Sequence, residues 1–119
     1  MKGIETYQEN TITTQSQGRI VVMLYEGAIR FLKQAVSEMK ADNHEAKSKY
    51  LLKAEDIINE LSIVLDMEAG GEIATNLRAL YMFMIKHLHE ANIKKDPAKI
   101  EDVVKLLEEL NQSWKAIAG

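Results

Sequence analysis

The sequence predicts an all-α fold, an antiparallel up-down-up-down bundle of four helices preceded by a short N-terminal arm. Apolar residues recur at spacings of three and four along most of the 119 residues, as they do on one face of a helix. Helix breakers are few, with one proline and six glycines, so the helices between them are expected to be long. The predicted connections are short, and short connections make consecutive helices antiparallel neighbours.

The composition is that of one soluble globular domain, 1–119. Hydrophobic residues make up 46% and charged residues 28%, a mix that supports a packed core. The absence of cysteine excludes disulfides, thiolate catalysis and Cys-ligated zinc, and it fits a reducing cytoplasm. The net charge of −3, with scattered Lys and Arg, offers no basic patch for nucleic acid. The polar stretch 1–10 predicts no secretory signal, and the longest apolar run, 79–85, is too short to span a bilayer.

The first helix is predicted at 16–41, after an irregular or short helical arm at 1–15. The end of this arm is rich in Thr and Ser, which favour caps and turns over helix interiors. Asp42, with Glu45 three residues later, is expected to form a capping box at the start of the second helix, 44–67.

Stronger signals bound the last two helices. The glycines at 70–71 can take positive φ at a helix end at little cost, so the second break is placed there. The third helix is predicted at 72–93. Asp96 is a favoured N-cap and Pro97 is preset for the first helical position, so the fourth helix begins there and the bundle is expected to occupy 16–117.

The first and third helices carry more apolar residues than one core-facing side requires. The run LYMFMI at 80–85 goes most of the way around the third helix, and the stretches 20–24 and 29–32 do the same in the first. Either these helices are central and well covered, or part of this surface is exposed as a groove for another helix. The methionines suit an adaptable binding surface but are equally ordinary core residues.

Short blocks in order along nearly the whole chain resemble the FliS family of flagellin export chaperones. The blocks are YQEN at 7–10, MLYEGAIRFL at 23–32, KAEDIINEL at 53–61, GEIATNL at 71–77 and ANI at 91–93, with Trp114 near the end. Where the family commonly has a proline before the first helix, this chain reads QSQG at 15–18, which leaves the start of that helix open.

The resemblance implies a cytoplasmic bundle that binds the disordered C-terminal segment of flagellin, prevents its premature polymerisation and delivers it to the flagellar type III export gate. A flagellar regulator or co-chaperone, as in some relatives, is a further partner to consider. Binding breaks no bond, so no catalytic group, metal or cofactor is required.

The resemblance also implies an N-terminal arm, here bearing Ile4 and Tyr7, that covers part of an apolar groove when the client is absent. Which helices line the groove stays open, and the first and third are chosen for their excess apolarity. The candidates for the groove or its cover are Ile4, Tyr7, Ile20, Met23, Leu24, Tyr25, Gly27, Ala28, Phe31, Leu77, Tyr81 and Met84.

Several candidates have a purely structural alternative. Gly27 permits close packing of two helices as readily as it makes room for a client backbone. Leu24, Tyr25 and Tyr81 suit either the core or the groove. Trp114 is expected in the core, with its indole N–H hydrogen-bonded.

Two other functions are compatible with a helical bundle. A metal-dependent enzyme would need ligand pairs, but the sequence has no HExxH and no Glu three residues before a His. His87 and His89 are two apart and do not share a helix face, and these and His44 are expected to be solvated surface groups. A helical homo-oligomeric adaptor for another flagellar protein would instead pair its spare apolar faces with a second copy.

Overall fold

Four helices form the fold in the computed structural model, which describes the backbone of residues 2–118 and the side chains of residues 18–65 and 70–116. The helices are α1 at Lys2–Lys40, α2 at His44–Ala69, α3 at Gly71–Lys94 and α4 at Pro97–Ala118. Residues 2–118 contain no strand, and the all-α prediction is confirmed. Within the described residues, no helix combines the length and the apolarity that a membrane crossing requires.

The helices form a ring in which each packs against its two neighbours in the order α1, α2, α3, α4 and back to α1. In the described part of the chain, the diagonal pairs α1 with α3 and α2 with α4 do not bring their backbones into contact. Because the connections are short, neighbouring helices run antiparallel. This is the predicted up-down-up-down bundle.

One cluster of apolar side chains fills the centre of the bundle, and all four helices contribute to it. In α1 its members recur at spacings of three and four, and they are Val21, Tyr25, Ala28, Leu32, Ala35 and Met39. Full burial of one such Leu or Ile side chain contributes roughly 1.5–3 kcal/mol of transfer free energy. The core faces therefore fix the rotation of each helix and decide which residues remain outside.

The start of α1 differs from the prediction. Its helix begins at Lys2, so residue 16 is not a helix boundary. The sequence QSQG at 15–18 contains no proline, and without a proline nothing removes a backbone hydrogen bond at this point. The Thr and Ser residues cost only a few tenths of a kcal/mol each relative to Ala, roughly 0.7 at most. Such a cost is too small to end a helix once its later turns have formed.

The connection from α1 to α2 also differs from the prediction. Asp42 has a left-handed φ of 60°. Its amide donates to the Met39 carbonyl at 3.1 Å, and the amide of Asn43 donates to the Glu38 carbonyl at 2.9 Å. These two bonds form a Schellman cap that closes α1. Asn43, not Asp42, then takes the N-cap position of α2. The predicted capping box with Glu45 is therefore wrong, because Asp42 already serves as the cap of the preceding helix.

The other two connections are as predicted. Gly70 and Gly71 have φ of 60° and 58°, values that L side chains rarely adopt, and the break between α2 and α3 falls at Gly70. At α4, Asp96 Oδ1 accepts a hydrogen bond from the Ala98 amide at 3.0 Å, and Pro97 occupies the first helical position.

Candidate binding surface

Large apolar side chains are exposed on three of the four helices. Among residues 18–65 and 70–116, α1, α2 and α3 each expose some, whereas α4 exposes none. The exposed side chains are Ile20, Met23, Leu52, Ile63, Ile73, Met82, Phe83 and Ile93. The apolar surface is therefore concentrated away from α4.

Two interhelical contacts fix which of these residues lie at the same level. A Cβ atom at Gly27 of α1 would lie 3.3 Å from the Cδ1 atom of Ile57 of α2. The carboxylate of Glu55 of α2 contacts the imidazole of His89 of α3. Counting along the antiparallel helices from these contacts brings Ile63 of α2 level with residues 20–21 of α1 and 81–82 of α3.

Ile20, Ile63 and Met82 therefore lie exposed at one level of three adjacent helices, and we call this set of residues the apolar band. Their exposed fractions are 46%, 58% and 66%, and Met23, one turn further along α1, is 68% exposed. Helix axes in a bundle lie about 8–10 Å apart, so a band across three helices is roughly 20 Å long.

The predicted site residues divide among three environments. Ile20 and Met23 are exposed, and the half-buried ones are Leu24, Phe31 and Leu77. The buried ones are Tyr25, Gly27, Ala28, Tyr81 and Met84. The side chains of Ile4 and Tyr7 lie outside the described residues.

The ring order changes how the predicted groove can be built. α1 and α3 lie on a diagonal, and α2 lies between their exposed apolar residues on the side of the apolar band. Among the described residues, α2 also exposes large apolar side chains, Leu52 and Ile63, which the sequence analysis missed. A signal was present, since residues 11 apart, here Leu52 and Ile63, return to the same face of a helix.

Three of the aromatic side chains form a hydrogen-bonded cluster inside the bundle. The hydroxyls of Tyr25 and Tyr81 lie 2.5 Å apart and join α1 to α3 across the diagonal. Trp114 packs half-buried on the core and its indole N–H donates to the Tyr25 hydroxyl. Burial raises the pKa of Tyr25, and the hydrogen bonds with Tyr81 and Trp114 partly offset that rise. Both tyrosines therefore act as interior links between helices.

Gly27 and Phe31 lie at the packed boundary between α1 and α2. The space beside Gly27 is occupied by Ile57, so the glycine permits a close approach of the two helices. The Phe31 ring stacks on that of Tyr50, with centroids 6.1 Å apart. These contacts favour the packing alternative for both residues.

The two histidines of α3 each pair with a carboxylate of a neighbouring helix. His89 pairs with Glu55 of α2, and His87 Nε2 lies 3.1 Å from Asp102 Oδ2 of α4. Burial raises the pKa of Glu55, and the adjacent His89 partly offsets that rise. His87 is partly buried and stacks on Phe83 with ring centroids 5.1 Å apart, so the prediction of a solvated surface group is wrong for this residue. Among the described residues, no group of three or more His, Asp or Glu is arranged to hold a metal ion.

The chain is a helical bundle of four helices with a packed core and exposed apolar side chains on three of them. The chain matches the family described as "Flagellar protein FliS" over residues 1–119, and it belongs to that family.

Curated relatives carry the same family name. A protein of Vibrio cholerae, named "Flagellar secretion chaperone FliS", is 38% identical over 122 residues, covering 98% of this chain and 90% of the relative. Proteins of the same name from Salmonella typhimurium and Bacillus subtilis are 39% and 32% identical. Their alignments cover 98% and 92% of this chain, and 90% and 80% of the relatives.

Proposed function

We propose that this protein is a cytoplasmic export chaperone that binds the disordered C-terminal segment of flagellin. It prevents premature polymerisation and delivers its client to the flagellar type III export apparatus. The observation that carries the proposal is the apolar band of Ile20, Ile63 and Met82. Membership of a family whose relatives are named flagellar secretion chaperones supports the same function.

The physical basis is that the chaperone covers apolar surface of flagellin that nothing else covers before the filament assembles. The terminal segments of flagellin bury their apolar faces only in the filament, so uncovered segments self-associate. Ordering such a segment on binding costs about 2–5 kcal/mol. At about 25 cal/mol per Å², roughly 80–200 Å² of apolar burial offsets that cost. Several half-exposed Ile and Met side chains on one surface supply an area of this order.

The client surface in this proposal is centred on the apolar band and on Met23, with the half-buried Leu24 beside it on α1. Ile4 and Tyr7 are proposed to cover part of this surface when the client is absent. Tyr25, Ala28, Tyr81 and Met84 support the surface from the core beneath. In this proposal the protein binds its client and catalyses no reaction.

Further partners belong to the same proposal. Delivery requires contact with the flagellar export gate while the client is bound. A flagellar regulator or co-chaperone would have to use a surface that the client leaves free. The apolar band equally suits a second copy of the chain, which is the homo-oligomeric alternative.

Titration calorimetry with a flagellin C-terminal segment of about forty residues tests the proposal, and binding with a large negative ΔCp is expected. Sedimentation across a concentration series serves as the companion experiment. Dimers that the flagellin segment cannot dissociate, together with no heat of binding, would favour the homo-oligomeric adaptor.

A further inference from the structure

One stripe of exposed residues runs along α2 and a second runs along α3. In each helix the members follow one another at intervals of four, three and four residues, which keeps them within an arc of about 60°. Each stripe begins and ends with a large exposed apolar side chain and has two polar residues between. The members are Leu52, Asp56, Asn59 and Ile63 on α2, and Met82, Lys86, His89 and Ile93 on α3.

The contact between Glu55 and His89 shows how the two stripes lie against each other. His89 belongs to the α3 stripe, and Glu55 lies one turn before Asn59 of the α2 stripe, so the stripes border each other. Counting along the antiparallel helices from this contact brings Leu52 level with residue 92 and Ile63 level with residue 81. We call these eight residues the α2–α3 face. The two apolar ends of this face lie about 16 Å apart, with the polar residues between them.

The middle of the α2–α3 face carries opposite charges on its two helices. Asp56 gives the α2 stripe a negative charge, whereas Lys86 gives the α3 stripe a positive charge. His89 adds a second positive charge to the α3 stripe when it is protonated. Neither Asp56 nor Lys86 has an ion-pair partner within the described part of the chain. Each half of the face therefore offers what the other half lacks, which is the requirement for pairing with an identical face.

We propose that the α2–α3 face binds the same face of a second copy of this chain, about a two-fold axis parallel to the helices. Rotation about such an axis lays the α2 stripe of each copy on the α3 stripe of the other, at the same level. Leu52 then meets Ile93 of the second copy, and Ile63 meets Met82 of the second copy. Every contact occurs twice. The helices α2 and α3 of both copies form a further four-helix arrangement in which the new neighbours are antiparallel.

The charges select this axis over the other two-fold axis that matches the apolar ends. An axis perpendicular to the helices lays α2 on α2 and α3 on α3, so Asp56 meets an asparagine and Lys86 meets His89. The parallel axis instead brings Asp56 toward Lys86 and His89 of the second copy. Opposite charges across an interface fix its register, and like charges oppose it.

The size of the face sets the strength of the dimer. Two helices about 9 Å apart, with side chains around apolar ends about 16 Å apart, cover on the order of 450 Å² per copy. The total of about 900 Å² is below the roughly 1,200 Å² at which stable interfaces begin. We therefore expect a weak dimer that forms with rising concentration, with a dissociation constant of about 10 μM or weaker.

The dimer goes beyond the proposed function but shares residues with it. Ile63 and Met82 belong both to the apolar band and to the α2–α3 face, so two copies cover part of each other's band when no client is bound. Leu52 and Ile93 belong to the α2–α3 face alone. Dimerisation and client binding can therefore be tested separately.

Sedimentation equilibrium of the full chain up to about 1 mM, comparing wild type with Ile93→Glu, tests the inference. The new carboxylate meets Leu52 of the second copy at two places, so dimerisation should weaken by about 100-fold. Because Ile93 is 81% exposed, its Tm should stay within about 2 °C of the wild-type value. Ser113→Glu adds the same charge at an exposed position of α4 and should dimerise as wild type does.

Reversal of the central charges tests the axis itself. Asp56→Lys alone and Lys86→Asp alone each set like charges against each other at two places, so each variant should dimerise more weakly than wild type. An equimolar mixture of the two variants should form a mixed dimer of wild-type strength, because each lysine then faces an aspartate. A mixture no stronger than either variant would overturn the parallel axis.

The outcomes separate this inference from the proposed function. A wild-type chain that stays monomeric at about 1 mM overturns the inference, and so does a dimer that Ile93→Glu leaves intact. The Ile93→Glu monomer should bind the flagellin C-terminal segment as wild type does. If wild type dimerises as described and the segment does not bind, the proposed function fails and this inference stands.

Discussion

The side of the bundle closed by α1 and α4 differs from the side formed by α1, α2 and α3. On the first side, ion pairs join the helices at seven-residue intervals, as Glu26 with Lys115, Lys33 with Glu108 and Lys40 with Glu101. On the second side, Ile20, Ile63 and Met82 are exposed at one level of three helices. Exposed ion pairs add little stability, with a median of about 0–1 kcal/mol. The difference therefore bears on partners more than on folding: one side is polar, and the other exposes the apolar side chains that the proposed client would cover.

The largest expected effect comes from placing a charge in the apolar band. Ile63→Glu removes apolar contact area and forces a carboxylate to lose water on binding, so the affinity for the flagellin segment should fall by about 100-fold. Because Ile63 is exposed in the free protein, the free energy of unfolding should change by less than about 0.5 kcal/mol. Calorimetry and urea unfolding measure the two quantities.

Ser113→Glu is the matched control, since it adds the same charge at an exposed position of α4. It should leave the affinity at the wild-type value. Equal losses in Ile63→Glu and Ser113→Glu would show that net charge, and not the band, controls binding.

The next largest effect is expected at Gly27, where α1 packs closely against α2. Gly27→Leu pushes a large side chain against Ile57 and should reduce the free energy of unfolding by about 2–3 kcal/mol. Gly27→Ala should stay within about 1 kcal/mol of wild type, because the gain in helix propensity offsets a 3.3 Å contact with a flexible methyl group. Normal stability with lost client binding in Gly27→Leu would instead assign this space to the client.

A smaller effect on stability, dependent on pH, is expected from Glu55, which joins α2 to α3 through its contact with His89. Its pKa is raised above the ordinary value of 4.5, so its contribution to stability is present below that value and is lost as the pH rises through the folded-state pKa. The variant Glu55→Gln has no carboxyl group to ionise at this position, so it does not lose stability in this way. Its stability relative to wild type should therefore increase as the pH rises above 4.5. Urea unfolding across this range measures the difference, and a flat difference would contradict the raised pKa.

The smallest effect is expected on the charged side. Lys33→Gln breaks one ion pair between half-exposed groups and should change the free energy of unfolding by less than about 0.5 kcal/mol. The change should shrink further in high salt, since salt screens exposed charges. A loss of several kcal/mol would mean that the ion pairs, and not the core, hold α4 in place.

The sequence was sufficient for most of the fold because its strongest signals are local. Single-residue chemistry explains two of the helix boundaries. Glycine accepts the positive φ found at Gly70 and Gly71, and Asp96 caps the helix that begins at Pro97. The start of α1 could not be placed, because Thr and Ser bias a helix only weakly when no proline is present. Asp42 was assigned to the wrong helix, since one acidic residue between two helices suits a cap of either.

The binding surface was less predictable because it depends on how each helix is rotated in the bundle. In LYMFMI at 80–85, the sequence indicated excess apolarity, but only the packing decides that Tyr81 and Met84 face inward while Met82 and Phe83 face outward. The ring order was equally decisive, since it places α2 between α1 and α3. Ile63 was missed because the analysis followed only the core-facing residues of α2 and not the second apolar face that carries Leu52 and Ile63.

Amide hydrogen exchange of the protein with and without the flagellin C-terminal segment tests the central claim most directly. The account predicts slower exchange around Ile20, Ile63 and Met82, on three separate helices, when the segment is bound. Unchanged exchange at these three places in a saturated complex would contradict it.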